Sequence, residues 1–397
     1  MNVHPQATSK LNRAVDLAQL QAQIRTLITL EETETPVISC YVRRVVRPDG
    51  GEIPEFAHRL QAIRNVLRGK ELEQFEERFA RVQSYLSSDL LPKTQGIAIF
   101  ARGGRSPFFM ALEFEVPLPN RLSVNSTPDV YHLVELKDTY HRFVVLISTE
   151  HSARILEVNL GTISRQLWAE RPELRSRVGK EWTHDHYQNH RRDRGEEFMQ
   201  EKIALVERLM AAEGHTHLIL AGVPHLAQRV RERLPKHIQD KIMDVVPTPE
   251  YAGVVDVVAS TLSAFIQGIQ AQSHSAAWKL EDALRTGGLA VCGTEATYEA
   301  LRQGQVDVLV MAREYDGSIA WHCPKCGWAQ TVHVRPPICP DCEHQELRTV
   351  NLKEEMIRTA ERQGVKLELV QQSETLLRLG GIGCLLRWER KPNWSDS

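Results

Sequence analysis

Four cysteines in one short segment have the types and spacing for chemistry: Cys323 and Cys326 in CPKCG, then Cys339 and Cys342 in CPDC after twelve residues. Each C-x-x-C turn can aim two thiolates at one point. Two such turns complete a tetrahedral shell, the pattern of a structural zinc site without an open position for a substrate. Pro324 and Pro340 stiffen the turns, and Gly327 supplies a permissive backbone after the first. Two disulfides or a redox dithiol would use the same residues, but an intracellular chain keeps its thiols reduced. His322, His333 and His344 lie nearby, and with four thiolates filling the shell they are expected at the surface. Cys40, Cys292 and Cys384 sit in or beside apolar strand-like runs and read as core residues.

A second constellation lies in the polar stretch 171–194. It carries Arg171, Arg175, Arg177, Lys180, Arg191, Arg192 and Arg194, interleaved with Trp182, His184, His186, Tyr187 and Gln188. Arginine bridges phosphates and stacks on bases, and exposed aromatics stack on unpaired nucleotides, so the mixture suits an irregular RNA surface. Four acids dilute the charge, and from composition alone a solvated loop is the better reading. His184, His186 and His190 with Asp185 could form a second metal site of nuclease type, but they lack the helical i, i+4 pairing with a carboxylate base. Arg43 and Arg44 precede PDGG and are a further candidate RNA contact, or simply part of a charged hairpin. Gly380, Gly381 and Gly383 read as structural, because a phosphate cradle needs a following helix and LLRW is strand-like.

The elements that must position these residues imply an α/β chain of three domains, 1–138, 139–274 and 275–397. Strand-like 37–42, a long charged helix over 55–86, and two strands joined by ARGGRSP make the first. The second begins with a three-strand meander and continues past the 171–194 loop into a helix over 196–212, the buried strand HLILAG, and helices over 226–243 and 249–272. The third is a small α/β sandwich, with helices at 294–302 and 352–363, strands VDVLVMA, VKLELV and GIGCLLRW, and the knuckle inserted over 321–346. The net charge of −2 argues against indiscriminate coating of nucleic acid. No apolar run approaches membrane-helix length, and MNVHPQATSK has no signal-like apolar region, so a cytoplasmic protein is expected.

Several of these segments carry a resemblance. GTEATYEALRQGQVDVLVMARE, the cysteine pair, VKLELV and GGIGCLLRW are similar to the C-terminal domain of archaeal and eukaryotic class-I peptide chain release factors. HRFVVLIS through HLILAG resembles that family's central domain. The order strand, long helix, GIAIFARGG resembles its decoding domain.

Departures from the family pattern shape the function that the resemblance implies. Gly-Gly pairs at 50, 103, 287 and 380 are followed by Glu52, Arg105, Leu289 and Ile382, so the Gly-Gly-Gln tripeptide of peptide release is missing. The Asn-Ile-Lys-Ser tetrapeptide of stop-codon reading is missing too, and HRLQAIRNVLRG stands near its place. A release-factor body without either working end resembles the Pelota branch of the superfamily and, nearest in kind, the bacterial hibernation factor Balon. The resemblance implies a zinc-bearing occupant of the ribosomal A site, bound to ribosomal RNA, acting in hibernation or rescue, with elongation factor Tu or another translational GTPase as possible partner. The alternatives are a peptidyl-tRNA hydrolase that uses Gln188 or a histidine to position water, and an RNA-binding or nucleolytic protein acting off the ribosome.

Overall fold

The computed structural model describes residues 15–388 except 34, 45–53, 89, 105, 151, 171–183, 213, 250 and 333. The chain divides into two compact units. Tyr140–Ile269, with the segment ending at Leu17, forms one; Ala18–Thr139 and the residues from Gln270 onward form the other. The first and third sequence blocks therefore share a unit, although each sheet takes all its strands from a single block.

The first block contains α1 (Leu17–Ile28), β1 (Val37–Arg43), α2 (Pro54–Val66), α3 (Gly69–Leu86), β2 (Gly96–Arg102), β3 (Phe108–Phe114), β4 (Arg121–Asn125) and α4 (Tyr131–Thr139). Its sheet has the order β3-β2-β1-β4, with every neighbour antiparallel. Side chains alternate across a pleat, so Ile38, Cys40 and Val42 of β1 and Ile97 and Ile99 of β2 share one face. That face packs on Phe75, Phe79 and Val82 of α3. The single helix expected over 55–86 is two, because Arg68 is extended (φ −136°, ψ 152°) and Gly69 takes φ 49°, neither of which a right-handed helix can contain. β4 and α4 were hidden by the prolines at 117, 119 and 128.

The central unit contains β5 (Phe143–Ser148), β6 (Ser152–Asn159), β7 (Thr162–Glu170), α5 (His184–Ala212), β8 (Leu218–Gly222), α6 (Pro224–Arg233), α7 (Lys236–Gln239), β9 (Ile242–Pro247) and the start of α8 (Val254–Arg285). The order β7-β6-β5-β8-β9 joins the antiparallel meander to two parallel pairs, β5 with β8 and β8 with β9. β5 is covered on both faces, and it is apolar from Phe143 to Ile147. Val144 and Leu146 pack towards Phe198, Met199 and Val206 of α5, while Phe143 and Val145 pack towards Val257 and Phe265 of α8. Phe143 and Phe265 stack with ring centroids 4.2 Å apart. Each such fully buried side chain contributes roughly 1.5–3 kcal/mol. Three expectations fail here. α5 begins at His184, so half of the polar loop is helix; β9 replaces the end of the helix expected over 226–243; and α8 continues past 272. By length and composition α8 is a candidate membrane span, contrary to the sequence reading. Its buried Val257, Phe265 and Ile269 nonetheless pack against the central sheet.

The last block contains β10 (Ala290–Cys292), α9 (Thr294–Arg302), β11 (Val306–Ala312), β12 (Ile319–His322), β13 (Ala329–Gln330), β14 (Arg348–Asn351), α10 (Leu352–Gln363), β15 (Lys366–Val370), α11 (Glu374–Arg378) and β16 (Ile382–Leu386). Its main sheet runs β10-β16-β11-β15, and a three-stranded sheet β13-β12-β14 follows the interior strand β11. The Asn351 side chain caps α10 by accepting the Lys353 N–H, and Gly364, left-handed at φ 65°, ends it. α10 also joins this block to the first. Glu354 Oε2 accepts the Val130 N–H at 3.0 Å, Arg358 Nη2 donates to the Ile28 carbonyl at 3.2 Å, and Lys137 pairs with Glu361. Close to two of the three points where the chain passes between units, Leu369 N–H bonds the Asp138 carboxyl, and Ser273 Oγ donates to Glu368 Oε2 at 2.9 Å. Both passages are thus fastened to β15.

Candidate metal centre

The knuckle is built twice over. After each C-x-x-C the chain turns back, with Gly327 N–H bonding the Cys323 carbonyl at 2.9 Å and Glu343 N–H bonding the Cys339 carbonyl at 2.9 Å. The turns then close with Cys323 N–H on the Trp328 carbonyl at 2.7 Å and Cys339 N–H on the His344 carbonyl at 2.8 Å. The closing residue needs a left-handed backbone in both, φ 75° at Gly327 and φ 59° at Glu343. Glycine meets that need in the first turn; glutamate bears it in the second.

The four sulfurs converge as the spacing predicts. Cys323 Sγ lies 3.6 Å from Cys342 Sγ, Cys326 Sγ lies 3.5 Å from Cys339 Sγ, and all four lie within 4.8 Å of one another. A tetrahedral ion with metal–sulfur bonds of about 2.3 Å needs sulfur–sulfur edges of about 3.8 Å, so the cluster could hold a metal ion without rearrangement. All seven cysteines are free thiols. Cys323 and Cys339 are buried with Leu347, and Trp321 and Trp328 pack beside them.

The electrostatics prepare one thiolate. Burial raises the Cys323 thiol, but backbone N–H groups of Cys326 and Lys325 and the neighbouring thiols of Cys342 and Cys326 outweigh it and bring the group down to about 7. Cys326 is pushed up to about 12, by burial first and then by the thiols of Cys342, Cys339 and Cys323, against the Trp328 N–H. Four thiols this close cannot all ionise unaided, and a bound cation would remove that conflict.

Sequence reasoning missed what holds the knuckle in place. Tyr298 Oη on α9 donates to the Gly327 carbonyl at 2.7 Å, and Arg302 Nη1 on the same helix bonds Asp341 Oδ2 at 2.8 Å. One helix grips both turns. The repeat of CPKCG as CPDCE would have shown that Glu343 occupies the glycine position. His322 is buried rather than at the surface, and burial lowers its pKa. Cys40 and Cys384 are buried, and burial pushes both thiols up, Cys384 to about 12.

The candidate RNA residues are placed less completely. Arg171, Arg175, Arg177, Lys180 and Trp182 lie outside the described residues. His184, His186, Tyr187, Gln188, Arg191, Arg192 and Arg194 fall on the opening turns of α5 rather than in a loop. Arg43 and Arg44 belong to the other unit. The Arg43 N–H donates to Asn120 Oδ1 at 2.8 Å, and Arg44 Nη1 donates to the Leu91 carbonyl at 2.9 Å.

Residues 128–265 match the model of Bacterial archaeo-eukaryotic release factor family 10. A peptide chain release factor subunit 1 from Thermoplasma acidophilum is 31% identical over 118 residues, 27% of this chain and 28% of that protein. The chain thus spans little more than a quarter of the curated relative it matches. Among solved structures, a model of ribosome-bound archaeal Pelota with ABCE1 is 13% identical, over 96% of each chain, at a TM-score of 0.40. The C-terminal domain of a Methanosarcina mazei peptide chain release factor is 19% identical, over 35% of this chain and 97% of that one, at a TM-score of 0.26.

Proposed function

We propose that this chain is a cytoplasmic, ribosome-binding translation factor of release-factor type that occupies the A site without reading a codon or releasing a peptide. One observation carries the reading. The block that matches a release-factor family model, 128–265, contains no Gly-Gly-Gln. The archaeal release factor subunit similar to part of the chain supports the translation setting. Such a factor works by presence: it fills a site, excludes other ligands, and leaves the ester of any peptidyl-tRNA intact. Hibernation or rescue is the setting this suits, in the manner of Balon or Pelota, with elongation factor Tu as the candidate delivering GTPase. The body is read as three domains, 1–138, 139–274 and 275–397, the basic segment 171–194 of the middle one contacting ribosomal RNA. Arg43 and Arg44 supply a second RNA contact from the first domain.

Zinc is the proposed ion at Cys323, Cys326, Cys339 and Cys342, because an all-thiolate tetrahedral set suits a borderline-soft, redox-inert cation. With four protein ligands it is structural. The reading is tested by adding purified protein to ribosomes loaded with peptidyl-tRNA. Co-sedimentation without accelerated peptide release is expected. Hydrolysis that disappears in Gln188→Ala while occupancy is unchanged would make the protein an enzyme instead.

A further inference from the structure

A concentration of cations without ion-pair partners among the described residues lies on α6 and α7, outside the segments read from the sequence as RNA-binding. The two helices bury Leu226, Ala227, Val230 and Ile238 in the core beside α5, with Leu234 between them. This turns His225, Arg229, Arg231, Lys236 and His237 outward, all exposed. Of the neighbouring charges, Arg233 pairs with Glu196 of α5, and Glu232 accepts a hydrogen bond from Gln228 Nε2 at 2.9 Å. Arg229, Arg231 and Lys236 form no ion pair with a described residue.

The arrangement costs the fold something. Arg229 and Arg233 are four residues apart on one helix, where like charges repel, and the three cations lie within eight residues opposed only by Glu232 and Asp240. Some arginines elsewhere are matched to carboxylates, as in Arg64 with Glu76 and Arg302 with Glu299 and Asp341, while Arg25 and Arg208 are exposed without one among the described residues; what sets this face apart is that its cations are gathered within a few residues. Arg233 pairs with Glu196, so α6 is tied to α5 within one unit.

We propose that the outer face of α6 and α7 is an RNA phosphate-backbone contact. Helix-borne guanidinium groups without internal partners suit a polyanion, whose bound counterions they release. The contact reads charge and not sequence, because the face presents no exposed Phe, Tyr or Trp for stacking. The inference deepens the ribosome-binding reading and rests on it for the identity of the RNA.

The test compares the full-length protein with the triple variant Arg229→Ala, Arg231→Ala, Lys236→Ala, and with a control, Arg25→Ala, Lys70→Ala, Lys93→Ala, that removes the same charge from exposed positions of the other unit. Binding to purified ribosomes and to a thirty-nucleotide RNA hairpin is measured across 50–200 mM salt, with circular dichroism confirming that each variant is folded. For the α6–α7 variant, the log–log salt slope should fall by about 2–3 and affinity by about tenfold or more at low salt, with the control unchanged. Undiminished affinity and slope on ribosomes that the parent protein binds would overturn the contact while sparing the ribosome reading. Equal losses in the control would overturn it as well. A parent protein that ignores ribosomes would sink the ribosome reading alone, leaving the hairpin slopes to decide the contact. Failure on both RNA targets, with binding to an acidic polypeptide instead, would assign the face to protein.

Discussion

The Asp138 carboxyl is pushed up to about 7, by burial first and then by the Glu368 carboxylate, while the Leu369 N–H, Arg313 and Lys137 act the other way. The folded protein therefore keeps a proton that the unfolded chain gives up near its ordinary value of 3.8. The sign follows: stability falls as pH rises from about 4 to about 7, then levels off. Asp138→Asn keeps an acceptor for Leu369 and removes the titration. Above pH 7 the variant should be the more stable by roughly 2–4 kcal/mol, with the gain vanishing near pH 4. Urea denaturation at pH 4.5 and pH 8 checks this, and equal pH dependence in the two proteins would refute it. Glu343 offers a second residue-level test. Its left-handed backbone costs about 1 kcal/mol that glycine would not incur, so Glu343→Gly should raise the melting temperature of the knuckle. Gly327→Ala should lower it by a similar amount through strain alone, since a Cβ there would meet only Arg302 Cδ at 4.0 Å. Thermal melts of both variants in metal-loaded protein give the comparison.

At the scale of elements, the knuckle has a meagre apolar core of Cys323, Cys339, Leu347 and two tryptophans, so most of its order must come from the sulfur cluster. Chelation should raise amide exchange first over 321–346, while the sheets of the central unit keep their protection. Uniform protection after verified metal loss would remove the structural role. Tyr298→Phe deletes one hydrogen bond to the knuckle and should cost about 1 kcal/mol, seen as faster metal loss to a chromophoric chelator. The cysteine spacing was legible because a short-range pattern dictates it. The strands β5, β11 and β15 were legible too, since sustained apolar runs bounded by polar turns admit few other readings. β9 was lost because IMDVVP, with its aspartate and only partly buried residues, reads as a helix end until its pairing with β8 is seen. The break before Gly69 was lost because amphipathic periodicity continues across it. The grip of α9 on both turns depends on tertiary contact between residues 29 and 39 positions apart, which no local signal carries.

At the scale of the whole molecule, the chain forms Tyr140–Ile269 as an excursion from a unit whose two halves lie on either side of it in sequence. An isolated 140–269 fragment holds all five strands of its sheet and should fold alone, whereas 18–139 should not, because α10 and its bonds to Ile28 and Val130 are missing. Circular dichroism and melting of the two fragments test this, and a cooperative transition in 18–139 would contradict it. The position of β16 has a consequence for how the protein is made. That strand lies between β10 and β11, so the centre of the sheet is completed by the final strand of those described. Translation at about 5–20 residues per second leaves β11 waiting roughly 4–14 seconds for the partner that starts seventy residues after Ala312, at Ile382. Through that interval the nascent chain displays a raw apolar strand edge that chaperones can hold and proteases can find. A polypeptide cut short before Ile382 would therefore have a finished middle and an open seam.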